Sequence, residues 1–113
     1  MPPAPDIEQR QYYRLRYPMT ERPTFLHAEK AYTVVDISAR GLLYIVPNSP
    51  LPELHTPIMG ILRFRRGAQC KIEGIVIRVH HDQVALYLPD HEIPFTILMN
   101  EQRYLHMRYP MWS

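Results

Sequence analysis

A chain of 113 residues and 13.4 kDa has room for one domain and little for a second. Its 46 % hydrophobic content supplies a modest core, which excludes global disorder. The formal charge of +2 is too mild to demand DNA or an anionic membrane.

Of the 13 cationic side chains, only Lys30 and Lys71 are lysines. The rest are arginines, whose planar fork fits phosphates, carboxylates and purine edges; an Arg-biased composition accounts for the excess equally well. The single cysteine, Cys70, excludes an internal disulfide and suits a reducing compartment. No apolar run reaches the roughly 18 residues of a membrane span, and "MPPAPDIEQR" lacks the build of a signal peptide. The expectation is a soluble cytoplasmic protein.

Twelve prolines punctuate the chain, and proline marks boundaries because it is excluded from central strands and helix interiors. Residues 1–9 read as a flexible tail and residues 10–113 as a single domain. Six segments are short and rich in β-branched and aromatic residues, as strands are: "PTFLHAE" (23–29), "AYTVVDI" (31–37), "GLLYIV" (41–46), "IMGILRFRR" (58–66), "AQCKIEGIVIRVHH" (68–81) and "QVALYLP" (83–89). Gly60 and Gly74 read as bends or a bulge, and Gly67 as a hairpin turn. Only "IPFTILMNEQRYLHMRYP" reads as helix, about 94–108. Pro94 suits a first turn, Pro110 forbids continuation, and Ile97, Leu98, Glu101, Leu105 and Arg108 recur at helical spacing. Consecutive antiparallel strands followed by one helix predict an all-β fold, a six-stranded antiparallel β-barrel closed against exposed edges, with a C-terminal α-helix.

The chemistry concentrates in two short stretches. In "DISARG" (36–41), Asp36 and Ser38 are two apart on a strand and point to one face, and Gly41 lets the backbone turn or approach a ligand. In "RQYYRLRYP", a spacing of four puts Arg10 and Arg14 on one side, with Arg16 beyond. Two guanidinium forks, a carboxylate and a hydroxyl are the set a guanine nucleotide needs. Its O6/N7 edge accepts from Arg, its N1–H and amino group donate to a carboxylate, and its phosphates accept from Arg and Ser. The alternative is local: Asp36 and Ser38 satisfying loop amides while the arginines stay solvated.

"RQYYR" (10–14) resembles the RxxxR element of PilZ domains, and "DISARG" resembles their (D/N)xSxxG element. Their order and separation, the strands, "GIVIRV" and a helix after "IPF" are similar to that family over residues 8 to 108. The resemblance implies a PilZ-like barrel that binds cyclic di-GMP, a bacterial second messenger, and needs no other cofactor. Carried over, Arg10 and Arg14 would clamp guanine and phosphate groups, Asp36, Ser38 and Gly41 would form the floor, and Arg78 would lie against a guanine. The sequence departs from the family in having Gln9 before Arg10, which leaves the number of bound nucleotides open, and in lacking a glycine within "VALYL".

His80 and His81 are adjacent on a strand and face opposite ways, "HEIPF" is not HExxH, and no Cys pair exists, so no metal site is expected. No nucleophile–base arrangement or phosphate-cradling glycine loop is present, so no enzyme is expected. "YRLRY" and "RFRR" interleave arginine with aromatics, which fits single-stranded nucleic acid on a small barrel. A third reading is a PilZ fold serving only as a protein adaptor. The nucleotide reading adds a mechanism: residues 1 to about 13 hold too few aliphatic groups to order themselves, so the ligand would fold them onto the barrel and present a new surface to a downstream protein.

Overall fold

The computed structural model describes residues 14–48 and 50–112. Arg10 and the 1–9 tail therefore lie outside the described residues. The elements run β1 (Leu15–Arg16), a 3-10 turn (Met19–Glu21), β2 (Thr24–His27), β3 (Lys30–Ser38), β4 (Gly41–Ile45), β5 (Pro57–Arg63), β6 (Gln69–His80), β7 (Gln83–Tyr87) and α1 (Phe95–Arg108).

All strand pairs are antiparallel, in the order β1-β3-β2-β5-β6-β7-β4. The additional β3–β4 pairing closes strands β2 to β7 into the expected six-stranded barrel. β3 is long enough to hold β2 along its first half, from Lys30 to Thr33, and β1 along its second, at Asp36 and Ile37. β1 escaped the sequence reading because two residues carry no periodicity.

Closure follows from alternation. Phe25, Tyr44, Leu62, Ile72, Val84 and Leu86 are at most 2 % exposed and fill the barrel, each contributing about 1.5–3 kcal/mol by leaving water. Gly67 makes the β5–β6 turn with φ 102°. Gly60 and Gly74 keep regular register instead of forming bulges. Gly60 serves close approach: a Cβ there would stand 2.2 Å from the Leu26 carbonyl and 2.7 Å from the Phe25 ring. The register shifts fall at Val34/Asp36 and Val76/Arg78, where no glycine marks them.

The helix begins after Pro94, as expected, and lays Ile97, Leu98 and Leu105 against the core. Glu101 lies in that same stripe at 3 % exposure. It is held by Tyr17, whose hydroxyl donates at 2.8 Å, and by the Arg66 fork at 2.8 and 2.9 Å. Arg66 also donates to Glu21 at 3.0 Å and lies 3.8 Å over the Tyr104 ring. Burial and the Glu101 charge push the Tyr17 phenol far above its ordinary range. Hydrogen bonds to Glu101 raise Arg66 further, against burial. Both groups thus stay protonated and fasten the helix to the barrel.

Candidate functional site

The two register shifts decide what the outer wall presents. Val34 and Ile37 both point into the core, three residues apart where strict alternation allows two or four. The extra residue is a β-bulge, and it turns Asp36 outward together with Ser38. In β6, Val76 is fully buried, so strict alternation would drive Arg78 into the core. The bulge at Val76/Arg78 reverses that, and Arg78 emerges exposed.

Both re-aimed residues belong to one cross-strand row. Arg16 pairs with Asp36, Asp36 with Leu43, Leu43 with Ala85, and Ala85 with Arg78. Asp36 and Arg78 are thus three strand spacings apart, about 14 Å along the wall. The next row runs Ser38, Gly41, Tyr87 and Ile75. Ala85 stands within "VALYL", the strand that lacks the family's glycine, and is 2 % exposed.

Arg14 enters from the segment before β1. Its Nη1 donates to Asp36 Oδ1 at 2.6 Å, with the arginine side chain 44 % exposed and the aspartate 9 %. A Cβ on Gly41 would fall 2.8 Å from Ser38 Oγ and 3.9 Å from Arg14 Nη1, so the missing side chain makes room for the Ser38 hydroxyl and lets Arg14 come close. The structure therefore brings Arg14, Asp36, Ser38 and Gly41 together and sets Arg78 on the same wall.

The local alternative predicted that Asp36 would serve a loop amide. Among the described residues its carboxylate takes the Arg14 guanidinium instead. The turn is secured by Arg40, which sequence reading passed over: its guanidinium donates to the Leu88 and Pro89 carbonyls at 3.1 and 2.8 Å and pairs with Glu92 at 3.0 Å. The Ala39 and Arg40 carbonyls accept from Ile93 and Leu88. The rest of "DISARG" supplies the fastening, leaving Asp36 and Ser38 for the wall.

Of the aromatic–arginine interleaving, Tyr13 lies outside the described residues, and the described aromatics do not form a stacking platform. Tyr17 and Phe64 are core residues at 2 % exposure, and Arg66 is committed to Glu21 and Glu101. Arg16 lies 5.5 Å from the Trp112 ring centroid, while the Trp112 indole N–H donates to the Arg16 carbonyl at 2.8 Å.

His80 and His81 do not face opposite ways. His81 leaves the strand with φ 55°, and the two rings come to 4.1 Å. Among the described residues, no group of three or more His, Cys, Asp or Glu side chains could hold a metal ion. Burial pushes the Cys70 thiol up to about 11, which keeps it protonated and inert. Among the described residues, no helix is long and apolar enough to cross a membrane.

A closed six-stranded barrel with a carboxylate, a hydroxyl and a guanidinium gathered on its outer wall defines a small binding domain. The chain belongs to the PilZ domain family, whose model matches residues 8–100, and that family is one of binding and adaptor domains of the cyclic di-GMP-binding type. Among solved structures, the chain is similar to the crystal structure of an uncharacterised Legionella protein. The two share 18 % identity with a TM-score of 0.57, over 86 % of this chain and 98 % of that one; the likeness is one of fold. No curated protein matches the sequence.

Proposed function

We propose that the chain is a cyclic di-GMP receptor that grips the nucleotide through Arg10, Arg14, Asp36, Ser38, Gly41 and Arg78, and signals by ordering its N-terminal segment. The observation that supports this reading most is the meeting of Arg14 with Asp36 and, beside Gly41, with the Ser38 hydroxyl. A carboxylate at 9 % exposure with one guanidinium on it has acceptor capacity left for a second donor. Guanine N1–H and its amino group are donors of the right kind.

In this mechanism Arg14 arrives aligned. Its contact with Asp36 holds the fork at the wall, so the guanine meets an arginine whose rotamers are already restricted, which lowers the ordering cost of binding. Ser38 Oγ donates to a phosphate oxygen, and Arg78 comes from the far end of the row to the second guanine. Arg10 and its neighbours then close over the ligand. Fixing roughly six to ten residues costs about 1–2 kcal/mol each in backbone entropy, offset by charge-assisted contacts to two phosphates and by stacking. The balance is an affinity near micromolar, about −8 kcal/mol, which suits a reversible sensor. The rearranged segment, with Tyr12 and Tyr13, offers the surface a downstream protein reads. The reading needs no catalytic group.

Calorimetric titration with cyclic di-GMP, GTP and a linear oligonucleotide tests the proposal. Saturable heat with cyclic di-GMP alone supports it. Binding of the oligonucleotide in preference returns the nucleic-acid reading, and silence with all three leaves the adaptor.

A further inference from the structure

Tyr87 is 39 % exposed on the outer wall, a large ring left in water on a strand whose Val84 and Leu86 fill the core. Its register partner is Gly41, and Gly41's other partner is Ser38. Side chains directly opposite in an antiparallel pair share a face and stand about 4.5–5.5 Å apart. The row therefore presents a hydroxyl, then a position with no side chain, then an aromatic ring, then the half-buried Ile75. Gly41 carries no side chain, so the row steps down between Ser38, whose Oγ lies 2.8 Å from where a Cβ would stand, and the Tyr87 ring on the other side.

A flat heterocycle fits that step in one sense only. Its donor-bearing edge must face Asp36, which is 7 % exposed and cannot swing far, while Ser38 keeps its hydroxyl for the phosphate. Its far side then lies against Tyr87 and Ile75. Leu43 and Ala85 of the neighbouring row add no polar group to compete for the base. Tyr87 is anchored for the task, since its strand is paired on both sides, with β4 and with β6, and the ring has only its own two torsions to lose.

We infer that Tyr87 is a base-contacting residue of this site, the aromatic side of a purine position next to Gly41 and Ser38. The inference rests on the proposed nucleotide binding and adds a residue that neither sequence element contains. A ring of this kind gives contact that is tolerant of base identity, while Asp36 supplies the choice of guanine. Tyr87 thus sets affinity for the purine face, and its hydroxyl is dispensable.

The test is a cyclic di-GMP titration of the wild-type protein, Tyr87→Phe and Tyr87→Ala, with the melting temperature of each. Stacking lost at one base weakens binding about fivefold or more. Tyr87→Phe should stay within about twofold of wild type and Tyr87→Ala should show the loss, at unchanged melting temperature. In wild-type protein, the Tyr87 ring protons should move upfield on saturation and show cross-relaxation to guanine H8. Wild-type binding with an unaltered Tyr87→Ala affinity, or with no change at the ring protons, overturns the role of Tyr87 alone. Absence of wild-type binding overturns the nucleotide reading and this inference with it. The ring-proton measurement needs no variant, so a Tyr87→Ala protein that failed to fold would still leave a decisive result.

Discussion

The Arg14 guanidinium sits 2.6 Å from the Asp36 carboxylate across 22 residues of chain, joining the end of one sequence element to the start of the other. The pair is lopsided: the arginine is nearly half exposed and the aspartate almost buried. A contact with one partner in water stabilises the fold little, on the order of 0–1 kcal/mol. Its value lies in placement.

Arg14→Ala should therefore abolish cyclic di-GMP binding while the melting temperature of the free protein stays within a few degrees of wild type. Arg14→Lys should bind poorly as well, because a point ammonium cannot reproduce a bidentate fork. A lysine variant of wild-type affinity would remove Arg14 from the clamp.

Asp36→Ala separates recognition from turn-making. The carboxylate meets Arg14 rather than a loop amide, and Arg40 holds the turn. Binding should weaken by roughly 1–3 kcal/mol, the usual cost of a lost charged hydrogen bond, with little change in unfolding midpoint. The opposite pattern, a large stability loss at constant affinity, would return Asp36 to a structural role.

Arg78 is predicted to matter only when ligand is bound. It is exposed and is turned outward by the β6 bulge, so Arg78→Ala should leave urea denaturation unchanged and raise the cyclic di-GMP dissociation constant. Equal affinities by calorimetry would confine the site to the Asp36 end of the row.

The helix fastening predicts a different signature. Arg66→Ala leaves the buried Glu101 carboxylate without its fork and should cost about 3–5 kcal/mol, read by urea unfolding. Replacing Arg66 and Glu101 together by apolar residues should cost less than the single change. Burial works to raise the Glu21 carboxyl, but hydrogen bonds from Tyr109 and Arg66 and the Arg66 charge outweigh it and hold the group below its usual value. Stability from a depressed carboxyl is present above the unfolded value near pH 4.3 and is lost as pH falls through the folded one. Unfolding free energy measured from pH 6 to pH 3 should fall in the acid limb, and Glu21→Gln should flatten that fall.

The strands were legible because they are short, rich in β-branched and aromatic residues and set between prolines; which side chains face inward, among them Phe25, Leu62, Ile72 and Leu86, emerges only on closure. Asp36 and Ser38 were legible as neighbours through their spacing of two. What escaped reading depends on closure. The bulges that turn Asp36 and Arg78 outward answer to pairing with β4 and β7 rather than to a local residue, and no glycine announces them. Arg66 reads as one more surface arginine until the fold brings it to Glu101, 35 residues away, and to Glu21, 45 away. The β-bulge also corrects a habit of sequence reading. Strict alternation from Val34 would have aimed Asp36 into the barrel; that it lies on the outer wall against Arg14, though only 7 % exposed, is a property of the folded sheet.

Hydrogen exchange with and without saturating cyclic di-GMP tests the central claim most directly, since one measurement reads both the wall and the segment that should close over it. Peptides covering residues 36–43 and residues 5–14 should both gain protection, in proportion to ligand occupancy, while the core strand β5 stays unchanged. Unaltered exchange at 36–43 would contradict the site. Protection at 36–43 with equal exchange at 5–14 would mean a nucleotide held by a preformed wall, and the ordering switch would fail.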